Sequence, residues 1–532
     1  MRRWNGWGDD SNNFPLKKSA HEFLVEKLGE ATPLPDATLE DVLAKVPATR
    51  LPEHPLINTG NEERLRHARG QSLPDWLAMR SGDFGVFPDG VAYPENTDQV
   101  RELLEFAKTN HIHVIPYGGG TSVVGHINPE AGNTPVLTID LSRMNKLIDL
   151  DRESQIATFG AGTPGPLLES QLKAHGYTMG HFPQSWELST VGGWVASRSS
   201  GQQSLRYGRI EQLFAGGKIE TTEGTLEIPT IPASSAGPDI KEMLLGSEGR
   251  MGIITEVKVR VTQIAKKEQF HVIFFPNWVD ATTAIREIAQ KKIPLSMVRL
   301  SNETETYTQL QLAGHPAAIS ALDTALYLRG ARKNKCMMTF GITGSKAYCK
   351  AAYDQAMKIV KAYGGVNTGT ILGKKWEENR FKSPYIRHGL WEKGFAVDTL
   401  ETCTDWSRVT TLMHAIESTI SHALDDENEK VHVFTHLSHV YPQGSSIYTT
   451  YVFRCADTYE KTLARWKKIK STASEQIVKH VGTISHQHGV GVDHAKYLPA
   501  EKGPMGISAI QSLCDHFDPK GIMNPGKLLR EE

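Results

Sequence analysis

The densest set of reactive side chains in this sequence is Ile484-Ser485-His486-Gln487-His488-Gly489-Val490-Gly491. Read as a strand, it projects His486 and His488 to the same face. Imidazole titrates near neutrality, so such a pair suits proton transfer. It also suits a metal ion, for which His432, His436 and His439 could supply further ligands. Satisfied structural histidines are the third reading, and spacing alone leaves all three open. A second kind of chemistry lies in the loop Pro116-Tyr117-Gly118-Gly119-Gly120-Thr121-Ser122, which follows a short apolar run. Without Cβ atoms, successive glycines let backbone N–H groups converge on phosphate oxygens, and Thr121 and Ser122 add hydroxyls. The spacing is not that of a GxGxxG fingerprint, and alone such a loop is an ordinary turn. Two further glycine-rich stretches change the balance. One is Ser189-Thr190-Val191-Gly192-Gly193-Trp194 with Ser199-Ser200-Gly201. The other is Gly246-Ser247-Glu248-Gly249 with Gly252-Ile253-Ile254. One extended ligand threading between loops accounts for all three.

These segments resemble the FAD-binding domain of the vanillyl-alcohol-oxidase-like flavoproteins, in which a Gly-Gly-Gly-Thr-Ser loop holds the pyrophosphate. The closing stretch Phe517-Asp518-Pro519-Lys520-Gly521-Ile522-Met523-Asn524-Pro525-Gly526-Lys527 matches as well, so the likeness covers nearly the whole chain. It implies FAD, held non-covalently by Pro116, Gly118, Gly119, Gly120, Thr121, Ser122, His181, Ser189, Thr190, Gly193, Trp194, Ser200, Gly246, Ser247, Glu248, Gly249, Gly252, Ile254 and Asn524. No attachment histidine sits beside the loop itself; His126 lies six residues beyond Gly120.

Within that group the histidine block is similar to the Ser-His-His-His-Gly-Val-Gly motif of the alkyldihydroxyacetonephosphate synthases. Arg2-Arg3-Trp4-Asn5-Gly6-Trp7-Gly8 resembles their characteristic start, and Gly180-His181 precedes Ser189 as it does there. Arg299, Arg387 and Tyr448 match active-site positions of that family. The resemblance implies exchange of the acyl chain of acyl-dihydroxyacetone phosphate for a long-chain fatty alcohol in ether-lipid synthesis, with no net redox change. His488 is the expected base, with His486 as a second candidate. Arg387 would meet developing charge, Arg299 the phosphate or that same charge, and Tyr448 the leaving carboxylate. One departure is Gln487 in place of the middle histidine, since an amide cannot shuttle a proton. A homodimer, peripheral membrane contact through the lipid substrates and a cytoplasmic location are further expectations. The chain ends Leu-Arg-Glu-Glu rather than in a peroxisomal tripeptide. Two rival readings are an FAD-dependent 2-hydroxy-acid dehydrogenase and a flavin-binding protein without activity. Gln487 lacks the charge that a metal-assisted dehydrogenase site favours, and no metal is expected.

The elements that must carry these residues are short strands and helices, an α+β pattern. Thr97 is placed to cap a helix bearing Val100, Leu103, Leu104 and Ala107 on one face. Pro164 is placed to open another helix at its first position. Asp280 is placed to cap a third, with Ala281, Ala284, Ile285 and Ile288 inward. The expected division is an N-terminal helical extension over 1–85 and a two-subdomain FAD-binding domain over 86–263. An antiparallel-sheet cap domain covered by helices follows over 264–480. The last segment, 481–532, returns to the FAD domain with the histidine motif. The 532 residues are too many for one core. Charge is balanced, 59 basic against 60 acidic residues, which speaks against nucleic acid. Five scattered cysteines with no CxxC pair speak against a disulfide framework.

Overall fold

The computed structural model describes residues 2–313 and 316–530. Three main sheets organise them into an α+β architecture. The first is four-stranded, in the order Ile57–Asn58, Gly90–Ala92, Val136–Asp140, His113–Tyr117. Its last three strands run parallel. The helix Thr97–Asn110 makes the crossover between two of them and buries Val100, Leu103, Leu104 and Ala107. The second sheet is antiparallel, in the order Leu147–Asp151, Ile156–Gly160, Ile253–Arg260, Phe214–Thr221, Gly224–Ile228. One apolar core joins both sheets.

The third sheet is antiparallel and seven-stranded. Its order is Val366–Asn367, Lys267–Phe275, Cys336–Gly344, Met297–Ser301, Val431–Leu437, Gly444–Arg454, Phe395–Asp405. The period of two along a strand divides its faces. Val298, Leu300, Val431, Leu437, Ile447, Tyr451 and Phe453 pack into a second large core. The helices Trp278–Gln290, Lys346–Ala362, Trp406–Ser421 and Tyr459–Lys479 bury their apolar sides in the same core. The alternate residues Arg299, His432, Phe434, His436, Tyr448 and Val452 face the other way, into a cavity. Beyond the helical stretch Leu498–Phe517 the chain returns to the first sheet, where the N–H of Asn524 donates to the carbonyl of Val114.

Several local expectations need correction. Asn96, not Thr97, caps its helix, its side chain accepting the Gln99 N–H at 3.0 Å. Asn277, not Asp280, caps the next, and Asp280 sits in the first turn as the donor of the capping N–H. In both cases an extended asparagine just upstream takes the role. Pro164 is the cap of Gly165–Lys173 rather than its first residue. The histidine block is not a strand. Residues 484–491 form an irregular loop, laid beside the strand Phe395–Asp405 by a bond from the His486 N–H to the Glu401 carbonyl. Glycines at positive φ, Gly489 (+82°) and Gly491 (+52°), prevent a ladder there.

Candidate active site

One cavity of about 570 Å³ is walled by the glycine loop, the segments around 189–200 and 247–254, the open face of the seven-stranded sheet, and Gln487 and His488. Its two ends differ in chemistry.

At the glycine end, no hydrogen bond among the described residues uses the N–H groups of Gly119, Gly120 or Thr121. A Cβ at Gly119 would drive into the Leu188 carbonyl, so only glycine allows this close approach. Arg2 donates to the Gly119 carbonyl from outside. Thr190 caps the helix Val191–Ser197, and the Trp194 indole donates to Ser189 at 2.7 Å. The Ser200 hydroxyl is buried at the wall without a partner among the described residues. Free backbone donors, an orphaned hydroxyl and a cradle that a Cβ would fill fit the pyrophosphate and polar edges of FAD. Pro116, Gly118, Gly120, Thr121, Ser122, Gly193, Ser247, Glu248, Gly249, Gly252, Ile254 and Asn524 all reach the same wall.

Two residues expected at the cofactor do not. His181 is 1% exposed and stands behind Trp194, its ring centre 4.8 Å from the indole and its Nε2 2.7 Å from Ser199 Oγ. Burial lowers its pKa to about 3, so it is a neutral support for the wall. Gly246 lies off the cavity, its N–H bonded to the Val195 carbonyl.

Glu248 links the two ends. Its carboxylate accepts the N–H groups of Val490 (2.5 Å) and Gly491 (2.7 Å) and stands 3.1 Å from His126 Nε2. Asn524 holds the Glu248 carbonyl at 2.7 Å. A Cβ on Gly489 would sit 2.6 Å from that histidine and 2.8 Å from that carboxylate. The histidine loop is thereby fastened to the flavin half by its backbone.

On the sheet face, neighbouring strands bring Glu401, Tyr448 and His436 into one row, Glu401 opposite Tyr448 and Tyr448 opposite His436. Arg299 donates to Glu305 at 2.6 Å and lies 3.2 Å from His436 Nδ1, which is 3.0 Å from Glu305. Burial opposes the Glu305 charge, but His436 and Arg299 outweigh it and bring the pKa down to about 2. Tyr448 stacks on His436 at 4.7 Å, meets His488 edge-on at 6.0 Å and bonds Thr399 at 3.1 Å. Burial pushes its phenol up to about 12, so it stays a proton donor. Arg387, on the helix Ser383–Trp391, donates to the Gln71 carbonyl at 2.7 Å and to Asp398 at 3.3 Å. Asp398 is itself fixed by the Trp466 indole at 2.6 Å. Next to these groups the wall turns apolar. Leu16, Leu24, Leu312, Leu390, Phe434 and Val452 belong to one packed cluster and face the cavity.

The two candidate bases part company. His488 faces the cavity, and burial lowers its pKa, leaving a neutral imidazole able to take a proton. His486 does not reach the wall. It is buried among Glu401, His439, Tyr441 and Arg209, where it cannot touch a substrate. The pairing on one strand face fails because the loop turns between them. Glu401, His439 and His486 also form a group with metal-ligand spacing, their ligand atoms within 4.8 Å of one another. Arg209 donates to His486 Nε2 at 2.7 Å, which places the ring proton on Nδ1, toward Glu401. That protonated nitrogen cannot ligate a cation.

Sequence reasoning missed Glu305, Asp398, Glu401, His126 and Arg209. The acids gave one readable signal, since Asp398 and Glu401 interrupt the β-branched and apolar run of a strand, where a charge needs a partner.

The comparisons with known proteins agree with this geometry. Residues 88–228 match the model described as FAD binding domain, and residues 264–528 match that of FAD linked oxidases, C-terminal domain. An alkyldihydroxyacetonephosphate synthase of Dictyostelium discoideum is 31% identical over 99% of this chain and 93% of its own length. That of Trypanosoma brucei brucei is 28% identical over 99% and 92%. A solved alkyldihydroxyacetonephosphate synthase superposes with a TM-score of 0.84 at 27% identity, covering 98% of both chains. With near full-length similarity to that enzyme and a cavity whose glycine end fits FAD, this chain belongs to the alkyldihydroxyacetonephosphate synthase family of FAD-binding proteins.

Proposed function

We propose that the protein is an FAD-dependent transferase that exchanges the acyl chain of acyl-dihydroxyacetone phosphate for a long-chain alcohol. The observation that carries this reading is one cavity holding a flavin cradle, two arginines, a neutral histidine and an apolar arm. A substrate with a phosphate, a ketone and an aliphatic chain meets all of them. A small 2-hydroxy acid would leave the apolar arm without a use.

The flavin, when bound, would supply an electron sink for the substrate carbon, with no net change in its oxidation state. The protein's own groups do the rest. His488 removes a proton from the carbon between ketone and ester. Arg387, held from behind by Asp398 and the Gln71 carbonyl, has N–H groups left to meet the resulting negative charge. Arg299 offers its remaining donors to phosphate or enolate oxygen. Tyr448, still protonated, donates to the carboxylate as it leaves. The ester oxygen departs with the fatty acid, which carries off the proton His488 removed; the alcohol oxygen bonds to the carbon, and the alcohol's proton ends on that carbon. Leu16, Leu24, Phe434 and Val452 shelter the chain from water.

Product analysis after incubating the FAD-loaded protein with acyl-dihydroxyacetone phosphate and hexadecanol tests the reading. Alkyl-dihydroxyacetone phosphate and free fatty acid are expected in equal amounts. Rapid anaerobic bleaching of the flavin by D-lactate, with no ether product, would favour the dehydrogenase instead. A homodimer and peripheral contact with membranes belong to the same proposal. Among the described residues no helix is long and apolar enough to cross a bilayer.

A further inference from the structure

Gln487 stands where the family motif has its middle histidine, and its amide is held in one orientation. Nε2 donates to Oε2 of Glu401 at 2.5 Å. The other carboxylate oxygen, Oε1, accepts from Ser438 Oγ and faces Nδ1 of His486 at 3.2 Å and of His439 at 3.4 Å. Burial opposes the charge on Glu401, but His486 and His439 outweigh it and hold the carboxyl well below the usual range. An ionised carboxylate only accepts hydrogen bonds. The amide must therefore turn its NH2 to Glu401 and its oxygen Oε1 away. Gln487 lines the cavity, and no described residue donates to that oxygen.

We infer that Gln487, oriented by Glu401, accepts the hydroxyl hydrogen of the incoming alcohol and aims its oxygen at the substrate carbon. This rests on the alkyl-transfer reading above. The two substrates differ in what they can donate. In acyl-dihydroxyacetone phosphate both hydroxyls are esterified, one by the acyl chain and one by phosphate, so it brings no hydroxyl donor. The fatty alcohol brings one. A neutral acceptor on the wall thus serves the second substrate and is idle toward the first. An amide oxygen cannot carry the proton away. As the alcohol oxygen bonds to carbon, that proton passes to His488, which lies next in the chain on the same wall and has by then given the carbon's proton to the departing fatty acid; His488 then returns the alcohol's proton to the carbon. A histidine at 487 would give one N–H to Glu401 and present its unprotonated nitrogen to the cavity. Glutamine and histidine are then equivalent here as acceptors, and the missing base at 487 costs nothing. Glu401 is a positioning residue, and Arg209, through His486, steadies it.

Steady-state kinetics of the flavin-loaded Gln487→Met enzyme, varying hexadecanol and acyl-dihydroxyacetone phosphate in turn, test this. The KM for hexadecanol should rise about tenfold, the worth of one hydrogen bond. The KM for acyl-dihydroxyacetone phosphate should stay within about twofold, with flavin content unchanged. Gln487→His should bring the hexadecanol KM back to within about threefold of native. Glu401→Gln, whose new amide no longer dictates the orientation, should fall between them; if it does not fold, the two Gln487 variants decide. A Gln487→Met enzyme whose two KM values stay put or rise together overturns the inference. So does a Gln487→His enzyme that behaves like Gln487→Met. Either result in a native enzyme that makes ether product sinks this inference alone. No ether product from the native enzyme removes the alkyl-transfer reading and takes this inference with it.

Discussion

The flavin end of the cavity and its sheet face are built on opposite principles. The flavin end uses backbone: N–H groups of Gly119, Gly120 and Thr121 in one unbroken loop, pressed against Leu188. The sheet face uses side chains delivered singly from distant segments, and three of them are each tied to a buried acid. Arg299 has Glu305, Arg387 has Asp398 and Gln487 has Glu401. Local backbone needs only the right φ and no Cβ. A cavity-facing arginine needs a partner behind it, because an isolated buried charge costs several kcal/mol. The first kind of site is robust in sequence and fragile to one methyl group. The second is scattered in sequence and fragile to loss of either partner.

The sharpest way to break this contrast is Gly119→Ala. Its methyl meets the Leu188 carbonyl, so the purified protein should lack the flavin absorbance band entirely. The sheet half should still unfold cooperatively on heating. A variant that keeps stoichiometric flavin would show that the backbone cradle is not the flavin's anchor. Next in size is Arg387→Leu, expected to lower turnover by roughly 10²- to 10³-fold while flavin absorbance stays intact. Residual turnover near native would remove Arg387 from the chemistry.

A pH series probes both regions together. Burial holds His181, behind the flavin wall, and His388, bonded to the Trp7 carbonyl, at about 3. Both are neutral in the folded protein and titrate near 6.5 when unfolded, so the unfolded state gains protons first as pH falls. Their contribution is complete above about 6.5 and is lost from there downward, about 1.4 kcal/mol per pH unit for each. Glu305, with its depressed pKa, adds to the loss only below the ordinary glutamate range. Urea unfolding at pH 7 and pH 5.5 should therefore differ by at least ~2–3 kcal/mol, since the buried His432 and His486, held at about 4, act in the same direction. Equal stability at the two values would mean these histidines are hydrated. The smallest effect is on chain length. Leu24→Trp fills part of the apolar arm and should shift the kcat/KM preference from hexadecanol toward decanol by about fivefold, with a like shift toward shorter acyl chains on the phosphate-bearing substrate.

Much of the flavin end was legible because its determinants are contiguous. Pro116 to Ser122, Ser189 to Trp194 and Ser247 to Gly249 each announce themselves as glycine-rich loops. The helix faces carrying Val100, Leu103 and Leu104, or Ala281, Ala284 and Ile285, were legible by their 3.6-residue period. Their caps were misplaced by one to three residues, because a capping asparagine acts through backbone geometry that composition does not display. Arg299, Arg387 and Tyr448 were found through family resemblance. Nothing in their own surroundings marked them. His488 was preferred to His486 as the base only through the resemblance, since by spacing alone two residues in one motif look equivalent until the loop is folded.

By itself, then, the sequence determined the flavin cradle, the two kinds of sheet and the identity of the reactive side chains, all of which depend on neighbours a few positions away. Only the tertiary structure decided which of those side chains reach the cavity. His488 and Gln487 do, and His486 does not. That choice is made by Glu401, Glu248 and Arg209, which lie 86, 239 and 278 residues from Gln487 along the chain. Charges that must be paired once water is excluded find their partners by packing, and packing has no signature in the spacing of the motif it controls.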